Sequence, residues 1–251
     1  MTDANKGGMT SNTKWGLLAA AVGVLVGGGA MALYSGVQGG GASKSEIEQT
    51  VRAYLLEHPE VLQEASQRLQ QREMGKAVEA NRAAFETPFA GAWAGAADAD
   101  VTLVEFFDYA CGYCKKSNAD VDRLLREDPK LKVVWREWPV LGQDSEQAAI
   151  ASLAAAQAGK YRTFYDTLFA AGRPDAAAVA RAQQAAGISP QAVAQMAASP
   201  AARDEMSKNM QLAQTIGASG TPTFVVGDEV LQGAVGYGAL KEAIDKARSG
   251  A

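Results

Sequence analysis

The only two cysteines of the 251-residue chain stand with two residues between them, in Cys111-Gly112-Tyr113-Cys114. A disulfide across so short a loop adds little loop-closure entropy, so it contributes little to holding a fold together. A strained, accessible disulfide is instead the labile, reactive kind. Thiol–disulfide exchange is the chemistry this spacing favours, with Cys111 as nucleophile and Cys114 as the thiol that resolves the mixed disulfide. One histidine and two cysteines cannot complete a four-ligand zinc site within one chain. Two neighbouring thiolates can hold soft Cu(I), so a copper-binding module stays open as a second reading. Net charge is −4 and no long basic run occurs, which argues against a nucleic-acid partner.

The elements around the pair explain why its first sulfur would be reactive. Val101 to Phe107 is an apolar run that reads as a buried strand, and Lys115 to Glu127 reads as a helix. Cys111 therefore falls at a strand-to-helix junction. Unpaired backbone N–H groups and the helix dipole stabilise a thiolate there. Cys114 lies one turn further in and is expected to be more buried.

A second strand is expected from Leu131 to Trp138. From Asp144 to Thr215 the pattern is helical and alanine-rich. Breaks at Gly159, Gly172 to Pro174, Gly187 to Pro190 and Ser199-Pro200 give about five short helices. Strands return at Thr223–Val226 and Glu229–Gln232, joined across Gly227-Asp228, and Tyr237 to Arg248 closes the chain as a helix. Strand, helix, strand, helical block, hairpin and helix is the thioredoxin plan. The expected class is α/β, a thioredoxin-like domain at 98–250 with a helical insertion at about 144–217.

The N-terminal third reads differently. Residues 1–14 are polar, and Trp15 to Val37 carries no charge. At about 1.5 Å per residue that run spans a bilayer core of about 30 Å. Lys6 and Lys14 precede it, which places the N-terminus in the cytoplasm and the body in the periplasm, anchored to the inner membrane. The alternative is a cleaved signal peptide, since Ala30-Met31-Ala32 fits a small-x-small site, and the body is then soluble and periplasmic. Residues 38–42 form a Gly-rich spacer. Ser43 and Glu46 have the spacing of a capping box, and 43–86 reads as an amphipathic helical segment outside the catalytic core, suited either to folding back on its own domain or to pairing as a dimer or trimer. Thr87 to Asp100 reads as a linker.

Three motifs carry a family resemblance: Val104-Glu105-Phe106-Phe107-Asp108-Tyr109-Ala110-Cys111-Gly112-Tyr113-Cys114, Trp138-Pro139-Val140-Leu141-Gly142, and Gly220-Thr221-Pro222-Thr223-Phe224. In this order they resemble the DsbA branch of the thioredoxin superfamily. The run Tyr54-Leu55-Leu56-Glu57-His58-Pro59-Glu60-Val61-Leu62 is similar to the oligomerisation region of copper-sensitivity suppressor C (ScsC) proteins. The resemblance implies an exported protein thiol:disulfide oxidoreductase with no cofactor. Its partners would be unfolded or misoxidised exported proteins and a membrane redox partner. It implies a buried acid at Glu105 that takes the proton of Cys114. It also implies a cis Thr221-Pro222 loop that pairs with the substrate backbone. Gly112 and Tyr113 lie where they would tune the couple and meet substrate. DsbA itself carries Pro-His at those positions, so the neutral Tyr113 implies a weaker oxidant. The threonine before the proline is more similar to the isomerase and reductase members, and net oxidation is the alternative direction. His58 reads as a helix-boundary residue. Trp135, Trp138, Tyr161, Phe164, Tyr165 and Phe169 read as core.

Overall fold

A computed structural model describes residues 43–250. The apolar run at 15–37 lies outside these residues. Among the described residues no helix is long and apolar enough to cross a membrane. The chain divides into two compact units, the second starting at Ala65.

Helix α1 (Lys44–Glu57) begins on the expected capping box. Ser43 Oγ accepts from the Glu46 N–H at 3.3 Å, and Glu46 Oε2 accepts from the Ser43 N–H at 2.7 Å. None of its residues is buried, and Ile47, Val51, Tyr54 and Leu56 are exposed apolar side chains. Helix α2 (Glu60–Glu86) starts with Leu62 and Leu69 exposed but then buries Met74, Gly75, Val78 and Phe85. The two helices of 43–86 thus differ in burial. The last three turns of α2 belong to the domain core. At Gly75 a side chain would begin 2.9 Å from the Asp228 carbonyl oxygen, so glycine lets the helix seat against the hairpin turn.

The sheet runs β1-β3-β2-β4-β5, with β1 at Trp93–Gly95, β2 at Val101–Phe107, β3 at Leu131–Glu137, β4 at Thr223–Val226 and β5 at Glu229–Gln232. Only β2 and β3 pair in parallel, in the register Glu105 opposite Trp135. The segment 87–100 is thus no mere linker. Three of its residues form β1, an antiparallel edge beside β3. A three-residue strand has too few positions for an alternating pattern to show in sequence.

Helix α3 (Gly112–Glu127) follows β2. The insertion holds five helices: α4 (Gln143–Gln157), α5 (Tyr161–Ala171), α6 (Ala176–Ala186), α7 (Pro190–Ala198) and α8 (Pro200–Thr215). Helix α9 (Tyr237–Ser249) closes the domain. Leu103, Phe107, Val133 and Trp135 point to a core shared with α3, α9 and the insertion. Val104, Phe106 and Val134 point the other way, against Met74, Val78 and Phe85 of α2 and Leu212 of α8. With both faces covered, β2 and β3 carry little surface polarity to spare.

Arg136 breaks that apolar pattern on the α2 face, and it is fully buried. Its guanidinium donates to the carbonyls of Ala84, Phe85 and Thr87 at 2.5 to 3.2 Å. It also donates to Glu205 Oε1 at 2.8 Å and Asn209 Oδ1 at 3.1 Å. Those carbonyls are the unpaired end of α2. Arg136 thus acts as an internal cap, and Glu205 balances its charge. It is a structural anchor.

Candidate active site

Cys111 is the N-cap of α3, in extended backbone with φ −78°. Its sulfur accepts from the Cys114 N–H at 3.4 Å. This is the helix-start placement that the spacing implied. Its thiol also donates to the Thr221 carbonyl oxygen at 3.2 Å. Thr221-Pro222 is a cis peptide. Residues separated by more than a hundred positions therefore meet at one sulfur, because β4 enters the sheet beside β2. Cys111 is 7% exposed and Cys114 is fully buried. Gly112 has open space where a side chain would begin, and Tyr113 is 68% exposed.

Beneath the pair lies Glu105, fully buried on β2. Trp135 Nε1, on the neighbouring strand, donates to its Oε2 at 3.0 Å. Its Oε1 is buried with no hydrogen-bond partner among the described residues. Burial lifts the Glu105 carboxyl to about 8, and the Trp135 bond opposes that lift. Burial, followed by the nearby Glu105 charge, pushes the Cys114 thiol well above its ordinary range. A charged Glu105 thus raises the cost of a Cys114 thiolate, and Glu105 would lose that charge by taking the Cys114 proton as the thiolate forms.

Trp135 is itself fixed by packing. Its ring centroid lies 4.9 Å from that of Tyr165 and 5.6 Å from that of Tyr161, and the Arg162 guanidinium sits 5.1 Å over its face. Tyr161, Phe164, Tyr165 and Phe169 are buried, as core assignments require. His58 closes α1 and its Nδ1 lies 3.2 Å from Glu60 Oε1, in keeping with a boundary role.

Glu137 is a second buried acid on the same sheet face. Its Oε1 accepts from Ser152 Oγ at 2.6 Å and from the Tyr161 hydroxyl at 3.2 Å, and Tyr109 Oη lies 2.7 Å from Ser152 Oγ. Burial raises the Glu137 carboxyl well above the usual carboxylate range.

Two residues at the site carry more than the sequence assigned to them. Trp135 was placed in the core, with no sign that it holds Glu105. Asp108 stands in the first motif with no role of its own. Its polar side chain, directly after an apolar strand and three residues before Cys111, was the available signal. The structure buries it under hydrogen bonds from the backbone of Ala110, Val140 and Leu141 and from Ser145.

Comparison with known proteins agrees with this architecture. Residues 102–245 match the model for the DSBA-like thioredoxin domain, and 44–74 match that for the copper resistance protein ScsC N-terminal domain. A thioredoxin-like oxidoreductase of Silicibacter pomeroyi DSS-3 is 39% identical, with TM-score 0.65, covering 68% of this chain and 99% of its own. A linker-deletion and N6K mutant of Proteus mirabilis ScsC shares the fold at TM-score 0.67 and 24% identity, covering 84% of this chain and 99% of its own. Disulfide bond formation protein D of Bacillus subtilis is 27% identical over 170 residues, 62% of this chain and 76% of that protein. The chain also matches Na(+)/H(+) antiporters NhaA of two Salinispora species, but spans only 24% of their length. With the family model covering more than half of the sequence, and the cysteines, the cis proline and the five-helix insertion in their places, this chain belongs to the DSBA-like thioredoxin domain family.

Proposed function

We propose that the protein exchanges disulfides with exported polypeptides through Cys111 and Cys114, in the reductive or isomerising direction. The observation that carries this reading is the Cys111 sulfur, set at a helix start against the Thr221 carbonyl, with an under-bonded acid below its partner thiol. The Cys111 thiolate attacks one sulfur of a substrate disulfide. A mixed disulfide forms, and the other substrate sulfur leaves as a thiolate. Glu105 takes the proton of Cys114. The Cys114 thiolate then attacks Cys111, releasing the second substrate thiolate and leaving a Cys111–Cys114 disulfide. Two electrons pass from the protein dithiol to the substrate. In isomerisation the first released thiolate attacks another disulfide of the same substrate, the thiolate freed there attacks the substrate sulfur of the mixed disulfide, and Cys111 leaves as a thiolate with no net electron transfer.

Return of the oxidised pair to the dithiol requires a dithiol donor, which we assign to a membrane redox partner. Tyr113 offers no cation to stabilise the reduced form, and its exposure leaves it free to meet substrate. Thr221 would pair its backbone with an extended substrate strand. The exposed apolar side chains Ile47, Val51 and Tyr54 of α1 support self-association into a dimer or trimer. The apolar run at 15–37 supports an inner-membrane anchor with the catalytic domain in the periplasm.

Refolding of scrambled ribonuclease by the full-length protein tests the direction. Recovery of ribonuclease activity by the reduced protein is expected, and it should fall in a variant with Ile47, Val51 and Tyr54 changed to serine. Rapid oxidation of reduced peptides with no reshuffling would establish the net-oxidase reading instead. Tight Cu(I) retention without exchange would establish the copper-binding one.

A further inference from the structure

Tyr165 lies in the aromatic group under the cysteines, and its hydroxyl does something that packing alone would not need. Tyr161 and Tyr165 are four residues apart on α5, so their rings share one face of that helix. Both are buried, and both meet Trp135, at centroid distances of 5.6 and 4.9 Å. A buried tyrosine hydroxyl calls for a partner, and the two find theirs on different elements. Tyr161 donates to Glu137 Oε1 at 3.2 Å, on the strand that carries Trp135. Tyr165 donates to Asn118 Oδ1 at 2.8 Å. Asn118 is half-buried on α3, four residues after Cys114 and on the same face of that helix.

These contacts run in one line from the cysteine helix to the acid. Asn118 holds the Tyr165 hydroxyl, the Tyr165 ring packs on Trp135, and Trp135 Nε1 donates to Glu105 Oε2 at 3.0 Å. Glu105 Oε1 has no partner among the described residues, so the aim of one indole decides how well the carboxylate is supported. Burial, followed by the Glu105 charge, holds the Tyr165 hydroxyl well above its ordinary range, so it keeps its proton and stays a donor. Besides Cys114 and Tyr165, the charged groups acting on Glu105 are Asp122 of α3 and Arg162 of α5, paired with each other at 2.8 Å. From β4 the residue opposite Glu105 is Phe224, which carries no charge.

We propose that Tyr165 is a positioning residue: through Asn118 it ties the Trp135 indole to the helix that carries Cys114, and so keeps the indole N–H on Glu105. This rests on the oxidoreductase reading above. Tyr165 acts through Trp135 and takes no part in the proton transfer itself. A donor held on a carboxylate favours its ionised form, which is the form that can accept the Cys114 proton.

The test uses the full-length protein and a peptide disulfide. Stopped-flow follows resolution of the mixed disulfide as a function of pH in the parent, Tyr165→Phe, Asn118→Ala, Trp135→Phe and the Tyr165→Phe, Trp135→Phe double variant. The parent rate should inflect at about 8. Tyr165→Phe and Asn118→Ala should each raise the inflection by about half a pH unit, which slows resolution about three-fold below it. In the Trp135→Phe background, Tyr165→Phe should add no further shift, since the group it positions is gone. An inflection that stays in place in Tyr165→Phe overturns the proposal, even where the variant is less stable, because the hydroxyl then serves packing alone. If Tyr165→Phe does not fold, Asn118→Ala decides in the same way, its side chain being half-buried. An equal further shift in the double variant also overturns it, since the hydroxyl would then act on Glu105 without the indole. A parent that forms no mixed disulfide overturns the oxidoreductase reading, and the positioning role with it.

Discussion

The two faces of the sheet each bury a charged type of side chain from a central strand, and they treat it in opposite ways. On the α2 face, Arg136 donates to three main-chain carbonyls, a glutamate and an asparagine. On the cysteine face, Glu105 has a single indole partner, and one of its oxygens has none. Leaving a buried polar atom unpaired costs about 1–3 kcal/mol, so such atoms are rare without a reason. A fully partnered group holds a structure together. An under-partnered one stores a tendency to change its proton.

Replacing Cys111 with serine is the most severe test of that contrast. Exchange with any disulfide should vanish, while the fold, which never needed the thiol, survives with an unchanged denaturation midpoint. Next in size is Arg136→Ala. It strips the end of α2 of its donor and leaves Glu205 without its buried partner. Unfolding free energy should drop by about 3–5 kcal/mol, read from denaturant titration. The redox potential of the molecules still folded should not move. A shifted potential would show that the two faces are not separate in function.

Glu105→Gln should act the other way round. Resolution of the mixed disulfide, followed by stopped-flow, should slow about 100-fold, the usual range for a lost general base. In the parent its rate should climb with pH through about 8, as the buried carboxyl loses its proton and can accept another. The variant should lack that inflection. Its stability should also gain. The parent carboxyl titrates near 4.5 when unfolded and near 8 when folded, so between those values the folded state binds the extra proton. Any stability linked to the acid is complete below 4.5 and is lost as pH rises to 8. Relative to Glu105→Gln, the reduced parent should weaken by up to about 1.4 kcal/mol per pH unit across that window. A flat difference would mean that the acid is not insulated as described. The smallest effect belongs to Trp135→Phe. Removing the one donor that lowers the Glu105 titration should move the kinetic inflection upward without abolishing it.

Sequence reasoning reached different depths on the two faces. The strand Val101–Phe107, the cysteine placement, the five helices of the insertion and the Gly227-Asp228 hairpin all follow from local signals, and the structure has them at or near the expected bounds. Glycine and proline mark each break because they constrain the chain wherever it travels. Arg136, Glu137 and Asp108 could not be placed that way. A charged residue on a strand reads as solvent-facing, and only its partners reverse this. Those partners sit on α2, α4, α5 and α8, far away in sequence. Likewise Val78 and Phe85 look sparse as a stripe, because a helix docked on a sheet needs only a few large contacts. The surplus of polar positions around them leaves folding back and self-association both open in the sequence.

The distance between β2 and β4 along the chain has a bearing on how the molecule comes into being. Val104 pairs with Val225, and the whole five-helix insertion must be synthesised and brought home before that ladder can close. Pairings so remote in sequence form slowly, whereas β2, α3 and β3 can meet early. Thr221 therefore reaches Cys111 among the last events of folding. Until then a newly made chain carries its thiols without the Thr221 carbonyl that later faces Cys111.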